Sequence, residues 1–298
     1  MVTVSVQTFT HNRYSLLNAK YKIRKETPMT TAIKQEMMNN VLEGRPVTAF
    51  DIVDAHTHLG YWHNFFNYWR SAEDMVREMD VCGIRCCVSS AHAGISVDYI
   101  YGNTQVIDAM REFPDRIYGY CCVNPHYPAD EIRDEIKRCF DMGMVAIKFH
   151  PEMHLYPVDG DGYRSAWEYA DEHGLVVLSH TTTGSPLDGT TMFEKLANDY
   201  PNAKILLGHS GFSYEGARQS TELARKCPNV YMDICGSTVD LGLLDRYVKG
   251  AGADRVLFAT DLPFIDCRPQ IGRVAFSGLD DEQIALVLAG NARRLFGI

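Results

Sequence analysis

His56 and His58 stand two apart in VDAHTHLG, and three further side chains of metal-ligand type each close a short apolar run: His180 in VVLSHTT, His209 in ILLGHSG and Asp261 in LFATDLP. Imidazole nitrogens and carboxylate oxygens are donors that zinc and other divalent ions take from proteins. Residues two apart on a strand point to one face, so His56 and His58 offer two imidazoles side by side while Thr57 turns away. The other three groups come from runs distant in sequence. Bringing all five together needs a fold that gathers many strand ends around one point, which a closed parallel barrel does. A lone histidine at a strand end is an ordinary polar residue, but this pair with two more histidines and an aspartate points to a metal-dependent enzyme.

The chain supplies the elements of such a barrel. From residue 51 a unit of strand, loop and helix repeats, with strand-like runs AFDIVDAH, IRCCVSS, IYGYCCVN, MVAIKFH, LVVLSH, AKILLGH, VYMDICG and RVLFATD. Between them lie amphipathic segments of helical length, such as SAEDMVREMDVCG with Ser71 and Asp74 as a capping pair. Eight strands alternating with helices demand parallel pairing and predict an α/β fold, a (β/α)8 TIM barrel over residues 51–298 as a single domain. An open doubly wound sheet is disfavoured, because no GxGxxG follows the first strand. Residues 1–50 read as a short N-terminal extension: a basic tail, or a transit-peptide-like segment, and then a short helix in TTAIKQEMMNNVLEG placed to cover the bottom of the barrel. Period-two alternation turns Ala146, Lys148 and His150 inward on the fourth strand and Leu178 with His180 on the fifth. It likewise groups Ile205 and Leu207 with His209, and Leu257 and Ala259 with Asp261, and turns Asp54 inward one layer below His56.

A net charge of -9 without a block of Lys or Arg leaves no electrostatic footprint for nucleic acid. No apolar run approaches the roughly 18 residues needed to cross a bilayer. The nine cysteines form no CxxC pair and fall partly within strand-like runs, so they read as small buried hydrophobes in a reducing compartment, which implies a cytoplasmic protein. The expected partner is a small-molecule substrate, with neither nucleic acid nor membrane, and a homo-oligomer is compatible. The aromatics Tyr61, Trp62, Phe65, Phe66, Tyr68 and Trp69 after the first strand suit either a pocket for a planar substrate or packing of a loop or subunit.

From about Ile52 to Ile298 the chain resembles the amidohydrolase superfamily, in its amidohydrolase-related branch of TIM-barrel metal-dependent hydrolases and decarboxylases. The resemblance rests on DAHTH, IKFHP, LSHTT, LGHSG, ATDLPF and the closing NARRLFGI. It implies a divalent metal, usually zinc, held by His56, His58, His180 and Asp261, with His209 as a catalytic histidine beside it. Lys148 matches the lysine that, once carboxylated, bridges two metals in binuclear members. One Zn2+ is the first expectation and two the second. Asp54 and His150 are candidates for supporting the ligands, and Lys148 could instead pair with Asp54 or Asp233.

Zinc lowers the pKa of bound water to about 7, which supplies hydroxide at neutral pH. Asp261 would then move a proton, and His209 would polarise a carbonyl or steady the oxyanion. Hydrolysis of an amide, lactone or ester is the leading reaction. Non-oxidative decarboxylation of an aromatic or unsaturated acid is the alternative, and it would need a cation for the carboxylate, with Arg164, Arg218 and Arg268 able to reach in from loops. A non-catalytic metal-bearing binding protein would require a closed coordination sphere, which an aspartate able to act as a base argues against.

Overall fold

The computed structural model describes residues 30–64, 66, 67, 71–237, 240 and 242–298. The segment 1–25 and the aromatics Phe65, Tyr68 and Trp69 lie outside the described residues. The chain divides at Thr31, and Ala32–Ile298 is one compact unit. Within it the strands β1 (Val53–Leu59), β2 (Cys86–Ala91), β3 (Ile117–Cys122), β4 (Ala146–Phe149), β5 (Val176–His180), β6 (Lys204–Gly208), β7 (Val230–Asp233) and β8 (Val256–Leu257) pair in parallel and in sequence order. The backbone beyond β8 runs on against β1. Ala55 N donates to Phe258 O at 3.0 Å, Asp261 N to His56 O at 2.9 Å and His58 N to Leu262 O at 2.7 Å. These bonds close the sheet into a (β/α)8 barrel.

Local chemistry sets where the crossover helices begin and end. The helix Ala72–Cys82 opens on a reciprocal cap between Ser71 and Asp74 and closes on Gly83 at φ 83°, where a Cβ would collide with the Val47 backbone. Two apolar layers result. Val53, Ala55, Val88, Tyr120, Ala146, Leu178, Leu206, Tyr231 and Leu257 fill the barrel, and residues such as Ile147, Phe149, Val177 and Phe258 pack outward under the helices. The alternation expected for β4, β5 and the Leu257 end of β8 is present. All nine cysteines are free and buried.

Three expectations are corrected. On β6 the inward residue is Leu206, whereas Ile205 and Leu207 belong to the outer layer, so His209 does not continue an inward row. On β1 the pairing register with β2 shifts between Asp54 and Thr57. This bulge puts Val53 and Ala55 inside the barrel and turns Asp54 toward β8, where its carboxylate accepts Thr260 N at 3.0 Å and Thr260 Oγ1 at 2.5 Å. The third concerns the barrel floor, which the C-terminal helix Asn291–Phe296 covers: Ala292, Leu295 and Phe296 join the inner layer, and the Phe296 ring meets Tyr120 edge-on at 5.8 Å. The helix Ala32–Leu42 packs into the outer layer through Met37, and Lys34 Nζ ties it to Ser277 O at 2.7 Å and Leu279 O at 2.6 Å. Among the described residues no helix is long and apolar enough to cross a membrane.

Candidate metal centre

At the bulge and just beyond it, β1 delivers His56 and His58 to the C-terminal mouth of the barrel, both buried. Each ring is held from behind. His56 Nδ1 lies 2.9 Å from Asp233 Oδ2, His58 Nδ1 2.9 Å from Ser90 Oγ, and His180 Nδ1 2.7 Å from Asp188 Oδ2. A tether on Nδ1 fixes the ring orientation and leaves Nε2 as the lone-pair donor, which is how proteins prepare histidines to ligate metals. Asp261 adopts φ 68° just after β8, in the left-handed region that few non-glycine residues occupy. Its Oδ1 stands 3.3 Å from His58 Nε2 and 3.9 Å from His56 Nε2, buried and without a hydrogen-bond partner among the described residues. A buried carboxylate oxygen without a partner is costly unless a cation meets it. The donor set therefore fits a divalent metal.

Lys148 does face inward and reaches this point. Its Nζ donates to His56 Nε2 at 2.7 Å, so its neighbour is the histidine and neither Asp54 nor Asp233 forms a direct bond with it. Burial lowers the Lys148 pKa against the pull of Asp261, and burial raises Asp261 against the pull of Lys148. In the metal-free site both are pushed toward their neutral forms. Burial also holds His56, His58 and His209 well below the usual imidazole range.

His209 reaches the site by leaving the strand. After Gly208 ends β6, His209 and Ser210 take φ 63° and 48°, and the His209 backbone N–H donates to Asp233 Oδ1 at 2.8 Å. Its ring lies 4.9 Å from those of both His56 and His180. The group whose ligand atoms come within 4.8 Å of one another is His56, His209, Cys235 and Asp261. It shares His56 and Asp261 with the expected quartet and brings in His209 and Cys235 where His58 and His180 were expected. His180 stands beside the group, stacked on His150 at 4.4 Å. His150 also caps the short helix Pro151–His154, its Nδ1 accepting Met153 N at 3.4 Å.

Several groups escaped the sequence reading. Asp188 and Ser90 orient ligand-type histidines, and Cys235, read as a small hydrophobe, touches two of them. His92, at the end of β2, stacks on His58 at 5.3 Å and contacts Trp62 and Phe264, which wall the mouth with Phe212. Arg164, Arg218 and Arg268 do not reach in. Arg164 pairs with Asp161, Arg218 with Glu215 and Glu222, and Arg268 with Asp266 and Glu78, and each of the three arginine side chains is more than half exposed. A different guanidinium is near. Arg273 is buried and lines, with His209, Cys235 and Tyr247, a cavity of about 10 Å³, room for roughly one water. Its Nη1 donates to Ile234 O at 2.5 Å and Gln270 Oε1 at 2.7 Å.

A family model described as Amidohydrolase matches residues 53–298. Among curated proteins none matches the sequence. Solved structures do. An uncharacterised TIM-barrel protein from Bordetella bronchiseptica is 17% identical, with 83% of this chain and 99% of that one covered at a TM-score of 0.68. The 2,6-dihydroxybenzoate decarboxylase from Rhizobium is 19% identical, covering 83% and 99% at a TM-score of 0.66. The 5-carboxyvanillate decarboxylase from Novosphingobium aromaticivorans, solved with manganese and 4-hydroxy-3-methoxy-5-nitrobenzoic acid, is 14% identical, covering 84% and 96% at a TM-score of 0.68. At these identities the likeness is one of fold.

Proposed function

Because the chain belongs to the amidohydrolase family, we propose that it is a metal-dependent hydrolase acting on a small amide, lactone or ester, with His56, His58, His180 and Asp261 holding the metal. The observation that carries this reading is the shared tether: Asp233, Ser90 and Asp188 each take the Nδ1 of one histidine and leave its Nε2 for coordination. A bound divalent ion would supply Lewis-acid activation of water and carbonyl. Imidazoles with one carboxylate suit zinc, and the manganese in one similar structure makes that ion the main competitor. Asp261 is the group for proton movement. With Oδ1 turned toward the ion, the carboxylate would still accept a proton from attacking water and return it to the leaving group. Arg164, Arg218 and Arg268 lie in helices and are engaged in ion pairs away from the site, which favours a substrate whose reacting centre is a neutral carbonyl.

Arg273 favours a second reading. The positive charge of this buried guanidinium beside His209, with the Arg273 Nε meeting no partner among the described residues, would attract a substrate carboxylate toward the site, and two of the similar structures are decarboxylases of aromatic acids. The test is protein purified without chelator, measured for metal and assayed on both substrate classes. We expect one equivalent of metal, lost in His180→Ala, and turnover of lactones or esters that Asp261→Asn abolishes. Release of carbon dioxide from hydroxybenzoates with no acyl turnover would move the protein to the carboxy-lyases. A metal-free preparation that cannot be loaded would sink both readings.

A further inference from the structure

The thiol of Cys235 is unused in the reading above, yet it meets three polar groups behind the site. Cys235 Sγ lies 3.2 Å from Asp233 Oδ1, 3.2 Å from His209 Nδ1 and 3.2 Å from His56 Nδ1, and every group in this set is buried. Who donates to whom follows from the fixed partners. Asp233 Oδ1 already accepts the backbone N–H of His209 at 2.8 Å and that of Cys235 at 3.3 Å, so it acts as an acceptor, and the only proton the thiol can offer it is S–H. The His56 Nδ1–H is taken by Asp233 Oδ2 at 2.9 Å, a nearer and stronger acceptor than sulfur. That leaves the sulfur lone pairs facing His209 Nδ1, and only an N–H there makes a bond.

We propose that Cys235 is a positioning residue that holds His209 as its Nδ1–H tautomer, so that His209 offers the reaction a lone pair on Nε2 and not an N–H. This rests on the proposed hydrolase only for the word reaction; the tautomer is a property of the resting protein. It also revises the role expected for His209. A lone pair on Nε2 can accept a proton or face a cation, but it cannot donate a hydrogen bond to a carbonyl or an oxyanion. The thiol works by its two-sided chemistry, donating to Asp233 and accepting from His209. Serine would keep both functions and alanine neither.

Histidine-selective 15N NMR on full-length, zinc-loaded protein decides the matter, since zinc is diamagnetic and the tautomers have distinct nitrogen patterns. The His209 signals are those lost in His209→Asn. In the wild type we expect the proton on Nδ1, in Cys235→Ala loss of that pattern, and in Cys235→Ser its return. A wild-type His209 protonated on Nε2, or a pattern unchanged in Cys235→Ala, overturns the proposal. Metal content measured on the same samples keeps the two ideas apart: wild-type protein that binds no zinc defeats the proposed function, while the tautomer can still be read in the metal-free protein.

Discussion

The His180 tether folds back on itself: Asp188 sits eight residues further along and returns to bond Nδ1 from a buried position, with its other oxygen Oδ1 unpartnered among the described residues. Removing such an orienting carboxylate loosens the ring without deleting the ligand, and typically costs 10–100-fold in metal affinity. Asp188→Asn should therefore stay folded and bind zinc about 10–100-fold more weakly in competition with a chromogenic chelator. Unchanged affinity would remove His180 from the ligand set. The ligand-type residues were readable because imidazoles and carboxylates at strand ends are rare without a purpose. Their supports were not. Nothing in TTTGSPLDG indicates that Asp188 turns back to His180, and Cys235 shares its strand-end setting with cysteines that only fill space.

Strands carry the site wherever their alternation is unbroken, and β4, β5 and the Leu257 end of β8 were legible for that reason, while Asp261 follows β8 at φ 68°. Period two fails at β1 and β6, each time because the backbone departs from an extended path. A bulge inserts an extra residue between Asp54 and Thr57, and positive φ at His209 and Ser210 swings the histidine in from a strand whose inward residue is Leu206. The residues that bulge or take positive φ here are not themselves the glycine or asparagine that usually signals such turns. Gly208 is the close approach at the level of the element. A Cβ there would lie 2.9 Å from Ser179 O, 3.2 Å from His56 Cε1 and 3.3 Å from Leu178 Cδ1, so the bare backbone is what lets β6 pass under the His56 ring. Gly208→Ala should destabilise by about 1–3 kcal/mol, as overpacking does, and displace His56. Urea melts together with metal content check it, and a variant as stable and as metal-replete as wild type would refute the close approach.

Across the whole molecule, burial sets two opposing groups against each other. His56, His58, His92, His150, His154 and His209 all have lowered pKa values, so below about pH 6.5 the unfolded chain takes up protons that the folded one refuses, and acid weakens the fold. Asp54, raised by burial to about 7, with Glu78, Asp233 and Asp261 raised as well, acts the other way: these carboxyls keep protons in the folded state that the unfolded state has lost, so their contribution to stability falls as pH rises. Six histidines outnumber four carboxyls, and each net proton is worth about 1.4 kcal/mol per pH unit. Metal-free protein should lose stability between pH 7 and 5.5, and Asp54→Asn, which removes one opposing carboxyl, should make that loss steeper. Denaturant midpoints at the two pH values test both statements; a wild type more stable at pH 5.5 would reverse the balance.

The seam of the barrel has a consequence beyond closure. The bonds that join β1 to the segment after β8 run through Ala55, His56, His58, Asp261 and the Asp54–Thr260 pair, residues 206 positions apart in the last case. Those are the same few residues that offer His56, His58 and Asp261 to an ion. An ion gripping both sides would act as a rivet across that joint of the ring. The converse follows: any early parting of that joint spreads the donors while the remaining strands stay paired, so the protein would go silent well before it comes apart.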